Sequence, residues 1–119
     1  MELGVIIRYG KLVPGREAQA IELFTEATEY FLKKVKENVL TYFEPYLFMT
    51  SDQEEETGFM VMKGPAPEIF RLMEEEKYLW LGEKARILVE HFAVDLLTVG
   101  EEIPRQLERA SKVRVELGI

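Results

Sequence analysis

The spacing at which apolar residues recur changes along this chain, and the order of those changes restricts the fold more than any motif does. Residues 2–9 are rich in Val and Ile and are closed by Gly10 and the pair Pro14-Gly15, which reads as a short strand and a turn. Over residues 16–37 the positions Ala20, Ile21, Phe24, Ala27, Thr28, Phe31, Leu32 and Val35 recur at steps of three and four, the stripe of one long helix. Glu17, Glu22, Glu26 and Glu29 sit toward its positive end, Lys33, Lys34 and Lys36 sit at its negative end, and Asn38 can supply a left-handed cap. Residues 40–50 return to strand character around Glu44-Pro45, where a proline cannot donate to a ladder, so a bulge or an edge position is expected. An acidic turn over 51–56 leads into a strand over 57–63, and the two strands pair as a hairpin. The run Gly64-Pro65-Ala66-Pro67 ends that strand and opens a helix, whose stripe from Ile69 to Val89 breaks near Gly82 and stops at His91. Residues 92–99 form the last strand, closed by Gly100.

Strand, helix, strand, strand, helix, strand is the split βαβ arrangement, which builds one antiparallel sheet with both helices on one face. The expected class is α+β, ferredoxin-like βαββαβ, with residues 1–100 as the domain and 101–119 as a C-terminal tail. In the tail, 104–111 suit a short helix, while Val113, Val115, Leu117 and Ile119 alternate with Lys112, Arg114 and Glu116 as an extra strand.

Composition removes many functions. With 119 residues, 47% of them hydrophobic, the chain can build a single core. Fifteen basic and twenty-two acidic side chains give a net charge of −7, which offers no patch for nucleic acid or an anionic membrane. The absence of Cys and the presence of one His exclude disulfides, thiol catalysis and thiolate zinc sites. No glycine-rich phosphate cradle or nucleophile elbow is found. The acidic runs 54–56 and 74–76 lack calcium-loop spacing and read as solvated surface, so no metal is expected. No targeting segment and no apolar run approaching the ~20 residues of a membrane span is seen, so a cytoplasmic protein is expected.

A sheet with helices on one side and water on the other alternates apolar and polar residues. Here Tyr42, Tyr46 and Phe48 oppose Phe43, Leu47 and Met49, and Phe59 and Val61 oppose Met60 and Met62, so both faces are apolar. The face away from the helices needs a cover, and a second copy of the chain is the simplest one, with the tail able to cross to the partner's sheet edge. This order of elements, the aromatic second strand and the stretch Glu68-Ile69-Phe70-Arg71-Leu72 through Lys77-Tyr78-Leu79 resemble the dimeric α+β barrel proteins, especially the antibiotic-biosynthesis-monooxygenase-like group. The resemblance spans residues 5–100. It implies a homodimer with a pocket between sheet and helices or inside the barrel, used in some members for cofactor-free oxygenation of aromatic compounds and in others for haem breakdown. Haem-degrading members carry an Asn on the first strand, a Trp in the second helix and a His further along it. Arg8, Met73 and Glu83 stand at those positions here, with Trp80 and His91 displaced from them, so the axial ligand is missing and no cofactor is expected.

Several residues have both a chemical and a structural reading. Arg8, Glu44 and Asp95 are charged residues within strands; they can orient an anionic or phenolic ligand and move a proton, or form an interface ion pair, since the first and fourth strands are neighbours in this topology. Tyr9, Tyr42 and Tyr46 can donate to a bound aromatic compound, or serve as interface residues with wet tips. His91 is the first choice for a general base and also suits a helix end, and Trp80 can line a pocket or fill core. The catalytic candidates are therefore His91, Glu44 and Asp95, and the ligand-binding candidates Arg8, Tyr42, Tyr46 and Trp80. The function expected is a homodimer that binds an apolar or aromatic small molecule and can act as a cofactor-free monooxygenase. The alternative is a non-enzymatic interaction or ligand-sensing module with a packed barrel.

Overall fold

A computed structural model describes residues 1–50 and 56–119. The elements run β1 (Glu2–Tyr9), α1 (Glu17–Lys36), β2 (Tyr42–Leu47), β3 (Gly58–Pro65), α2 (Ala66–Met73), α3 (Glu76–Leu88), β4 (Ala93–Thr98) and α4 (Glu102–Leu117). The strands form one antiparallel sheet in the order β2-β3-β1-β4, so the fold is α+β and ferredoxin-like. Pro45 lies on an edge strand in continuous register with Met60, which resolves its position as an edge rather than a bulge. The turn expected over 51–56 lies outside the described residues except for Glu56.

Alternation along the strands sends Leu3, Val5, Ile7 and Tyr9 of β1 and Met60 and Met62 of β3 into a core with Phe31 of α1 and Ile69 and Leu72 of α2. A smaller cluster of Ala20, Leu23, Leu81, Ala85 and Leu88 ties α1 to α3. Because α1 packs on both the sheet and α3, its buried edge follows Ala20, Leu23 and Phe31, and Ile21 and Leu32, expected on the stripe, are exposed. Asn38 takes the left-handed conformation expected of it, and the N–H groups of Val39 and Leu40 close the helix on the Lys34 carbonyl at 3.0 and 3.2 Å.

Three boundaries differ from the sequence reading. The second helical segment breaks at Glu74 and Glu75, not near Gly82. The Glu75 carboxylate is held from across the interface by the Tyr30 hydroxyl at 2.9 Å and Lys34 Nζ at 2.8 Å, which fixes an extended residue between the helices. α3 ends at Leu88 before His91, because Val89 bridges Leu12, the Gly10 N–H donates to the Glu90 carbonyl at 2.7 Å, and the Glu90 N–H donates to the Lys11 carbonyl at 2.8 Å. His91 follows with φ 53°. The extra strand expected at 113–119 is the last part of α4: the helical stripe of Ile103, Leu107, Ala110, Val113 and Leu117 runs through it, and Gly118 with φ 72° closes the helix. No residue of α4 is buried. None of the described helices is long and apolar enough to cross a membrane.

Candidate ligand-binding pocket

At one end of the sheet, α1 and α3 turn small residues toward the strands: Ala20 and Ala27 from one helix, Gly82 and Ala85 from the other. Close packing needs large side chains where elements diverge, and their absence leaves an apolar cavity of about 420 Å³. Ile7, Tyr9, Met60 and Val94 of the sheet form its floor, Phe24 and Phe31 one wall, and Tyr78 and Leu81 the other. Leu12, Val89 and Phe92 close it from the connecting segments, and Ile21, Leu47, Leu79, Glu83 and Arg86 stand at its mouth.

Few polar groups reach this space. The Tyr9 hydroxyl donates to the Tyr46 carbonyl at 3.1 Å, and burial pushes the phenol up to about 12. Burial raises Tyr78 as well, partly countered by the nearby Arg86 charge. Both phenols keep their protons at neutral pH, so they serve as hydrogen-bonding groups and not as bases.

None of the seven candidates singled out from the sequence lines this cavity. Five lie on the opposite, helix-free face of the sheet, in two groups. Arg8 and Asp95 meet at 2.5 Å across β1 and β4, the pair their neighbouring strands make possible. On β2, Tyr42, Glu44 and Tyr46 share a face at two-residue spacing. Both hydroxyls donate to Glu44 Oε2, at 2.6 and 2.8 Å, and the two oxygens are 2.7 Å apart. The two phenols hold the Glu44 carboxyl below its ordinary range, and the carboxylate pushes Tyr42 well above its own. The Tyr46 ring stacks on Phe59 at 4.9 Å, and Lys63 sits over the Tyr42 ring at 4.8 Å. Trp80 is 59% exposed on α3, and His91 is exposed in the loop before β4, so neither joins these groups. Tyr78, Phe24 and Arg86 escaped the sequence reading as site residues. The signal that points to them is the set of small residues within two apolar helical stripes, which marks where the helices leave room.

No protein-family model matches the sequence, and no curated protein matches it either. Solved structures do share its fold. A dimeric ferredoxin-like protein of unknown function from Jannaschia sp. CCS1 superposes with a TM-score of 0.66 at 14% identity, covering 83% of this chain and all of its own (100%). SnoaB, a cofactor-independent oxygenase from Streptomyces nogalater, superposes at 0.57 with 16% identity, covering 84% of this chain and 94% of its own. A candidate antibiotic biosynthesis monooxygenase from Caulobacter crescentus CB15 superposes at 0.59 with 14% identity, covering 84% and 91%. The similarity is one of fold, and it includes dimeric ferredoxin-like and antibiotic-biosynthesis-monooxygenase-like proteins.

Proposed function

We propose that the protein is a homodimer that binds an apolar aromatic molecule in the cavity between the sheet and α1 and α3, where the bound compound reacts with oxygen without a cofactor. The observation that carries this reading is the cavity: about 420 Å³, walled by apolar side chains, with two protonated phenols. That is the size and character of a small-molecule site, for which volumes of roughly 300–1,000 Å³ are usual. Its chemistry favours a phenolic ligand. The Tyr9 proton is committed to the Tyr46 carbonyl, so its oxygen is left to accept from a ligand hydroxyl, while Tyr78 donates to a ligand oxygen and supports negative charge developing there. The oxygenase activity of SnoaB, on the same fold, supports the chemical part of the reading.

The dimer rests on the helix-free face. Ile6, Phe59 and Val61 lie there among Arg8, Tyr42, Glu44, Tyr46 and Asp95, and a second sheet packed against them would enclose all of these groups. A second reading of the site follows from one observation: the Tyr42–Glu44–Tyr46 cluster would then stand inside the barrel with the Arg8–Asp95 pair, where an ionised carboxylate flanked by phenols can serve proton transfer. Trp80 and His91 take part in neither reading.

Native mass spectrometry of the gently purified protein is the test. A dimer that retains an apolar adduct, takes up 1-naphthol and consumes oxygen on a suitable phenol is expected. Gly82→Leu, which fills the edge of the cavity from a position with open space around it, should weaken 1-naphthol binding by about tenfold or more with the dimer intact. Unchanged binding in that variant would move the site to the barrel. A bare dimer that binds no phenol points to the interaction module, and a monomer at micromolar concentration overturns the dimer.

A further inference from the structure

The chemistry of the pocket mouth narrows the ligand further, and this step rests on the pocket reading above. Leu79, Gly82, Glu83 and Arg86 recur at helical spacing along the edge of α3 that borders the opening. Arg86 is the one cation among the described residues that line the cavity, and no ion pair within 4.0 Å ties it to a carboxylate of the described chain. Its guanidinium lies over the Phe92 ring at 5.4 Å, and Phe92 is itself a wall of the cavity. A guanidinium held over an aromatic wall by its charge, with no carboxylate partner among the described residues, has N–H donors to offer an anion. The same charge reaches the Tyr78 phenol inside. Glu83, one turn earlier on the same edge, is the opposing charge, so an anion must sit on the Arg86 and Phe92 side of the opening.

We propose that the ligand is an apolar aromatic acid whose ring system enters the cavity while its carboxylate is held at the mouth by Arg86, which makes Arg86 the residue that selects for the acid. The arrangement is economical in desolvation: the apolar body leaves water, and the charge stays at the opening beside a fixed cation, where neither ion is stripped of all its hydration.

The test compares 2-naphthoate with 2-naphthamide, which matches it in shape without the charge, by titration calorimetry on the full chain. The wild type should bind the acid about tenfold or more tightly than the amide, as expected for a charge-assisted contact. Because the mouth is open to solvent, the ratio should shrink as salt rises. Arg86→Gln should bring the ratio close to one, Arg86→Lys should restore part of it, and Glu83→Gln should raise it. Equal affinity for the two probes in the wild type, or a preference that survives in Arg86→Gln, overturns the role of Arg86 with the pocket reading standing. If neither probe binds while 1-naphthol does, this inference falls and the pocket reading stands; if 1-naphthol is refused as well, both fall.

Discussion

Gly58 shows how much a single atom can matter in this sheet. A Cβ at that position would lie 2.2 Å from the Tyr46 carbonyl oxygen and 3.1 Å from the Leu47 backbone, because β2 and β3 close on each other there. Both neighbours are backbone and cannot give way, so Gly58→Ala should cost about 1–3 kcal/mol in urea denaturation. Its effect should reach the cavity too, since Leu47 and Thr57 line it. Glu75 sets a pH dependence of known sign. Lys34, then the Tyr30 hydroxyl, hold its carboxyl below the ordinary value. A carboxyl depressed in the folded state adds stability above its unfolded pKa and loses it as pH falls through the folded value. Acidification below about pH 4.5 should therefore destabilise the wild type. Glu75→Gln should flatten that acid limb in thermal scans, and an unchanged limb would show that the contact adds nothing. Arg8, Asp95 and the three residues of the β2 cluster were conspicuous in the sequence because charged and phenolic groups stand out within strands. The pocket residues were not, because phenylalanines and alanines on a helical stripe look the same whether they pack or surround a void.

At the scale of elements, sequence periodicity is reliable where one period dominates and ambiguous where two coexist. β1 and α1 fall where alternation and the three-four stripe place them. Over residues 113–119 both patterns are present, and the helix prevails because its stripe is continuous with Ile103, Leu107 and Ala110 and Gly118 closes it. The break between α2 and α3 was invisible for a different reason: it is imposed on Glu75 by Tyr30 and Lys34, which are more than forty positions away in the chain. α4 joins the body through its first turns, where Gln106 meets the Thr98 hydroxyl, and it buries no side chain. Deleting residues 102–119 should therefore lower the helical signal in circular dichroism by the 16 residues of α4 while leaving the thermal midpoint of the core nearly unchanged. A large fall in midpoint would mean that α4 packs on something in solution that supports the core.

For the whole molecule, the two faces of the sheet carry different prospects, and Val61 separates them. It sits at the centre of the helix-free face, paired with Ile6 on one side and Glu44 on the other. Val61→Glu places a second carboxylate beside Glu44 without touching the core under the helices, so the proposed dimer should dissociate in sedimentation velocity while circular dichroism stays that of the folded chain. A dimer that persists would remove this face from the interface. The chain's own sequence determined the order of its elements, the apolar character of both sheet faces and the exclusion of thiol and phosphate-loop chemistry, because these depend on local periodicity and residue inventory. The tertiary structure decided where the helix breaks, which face each tyrosine takes and where the cavity opens. Each of these depends on residues distant in sequence: Ala20 and Ala27 leave room only because Gly82 and Ala85 of another helix border the same space, and Tyr9 enters that room while Tyr46 turns away from it. Periodicity assigns residues to alternate faces, but only packing decides which face closes over a core, which borders a void and which is left to meet another surface.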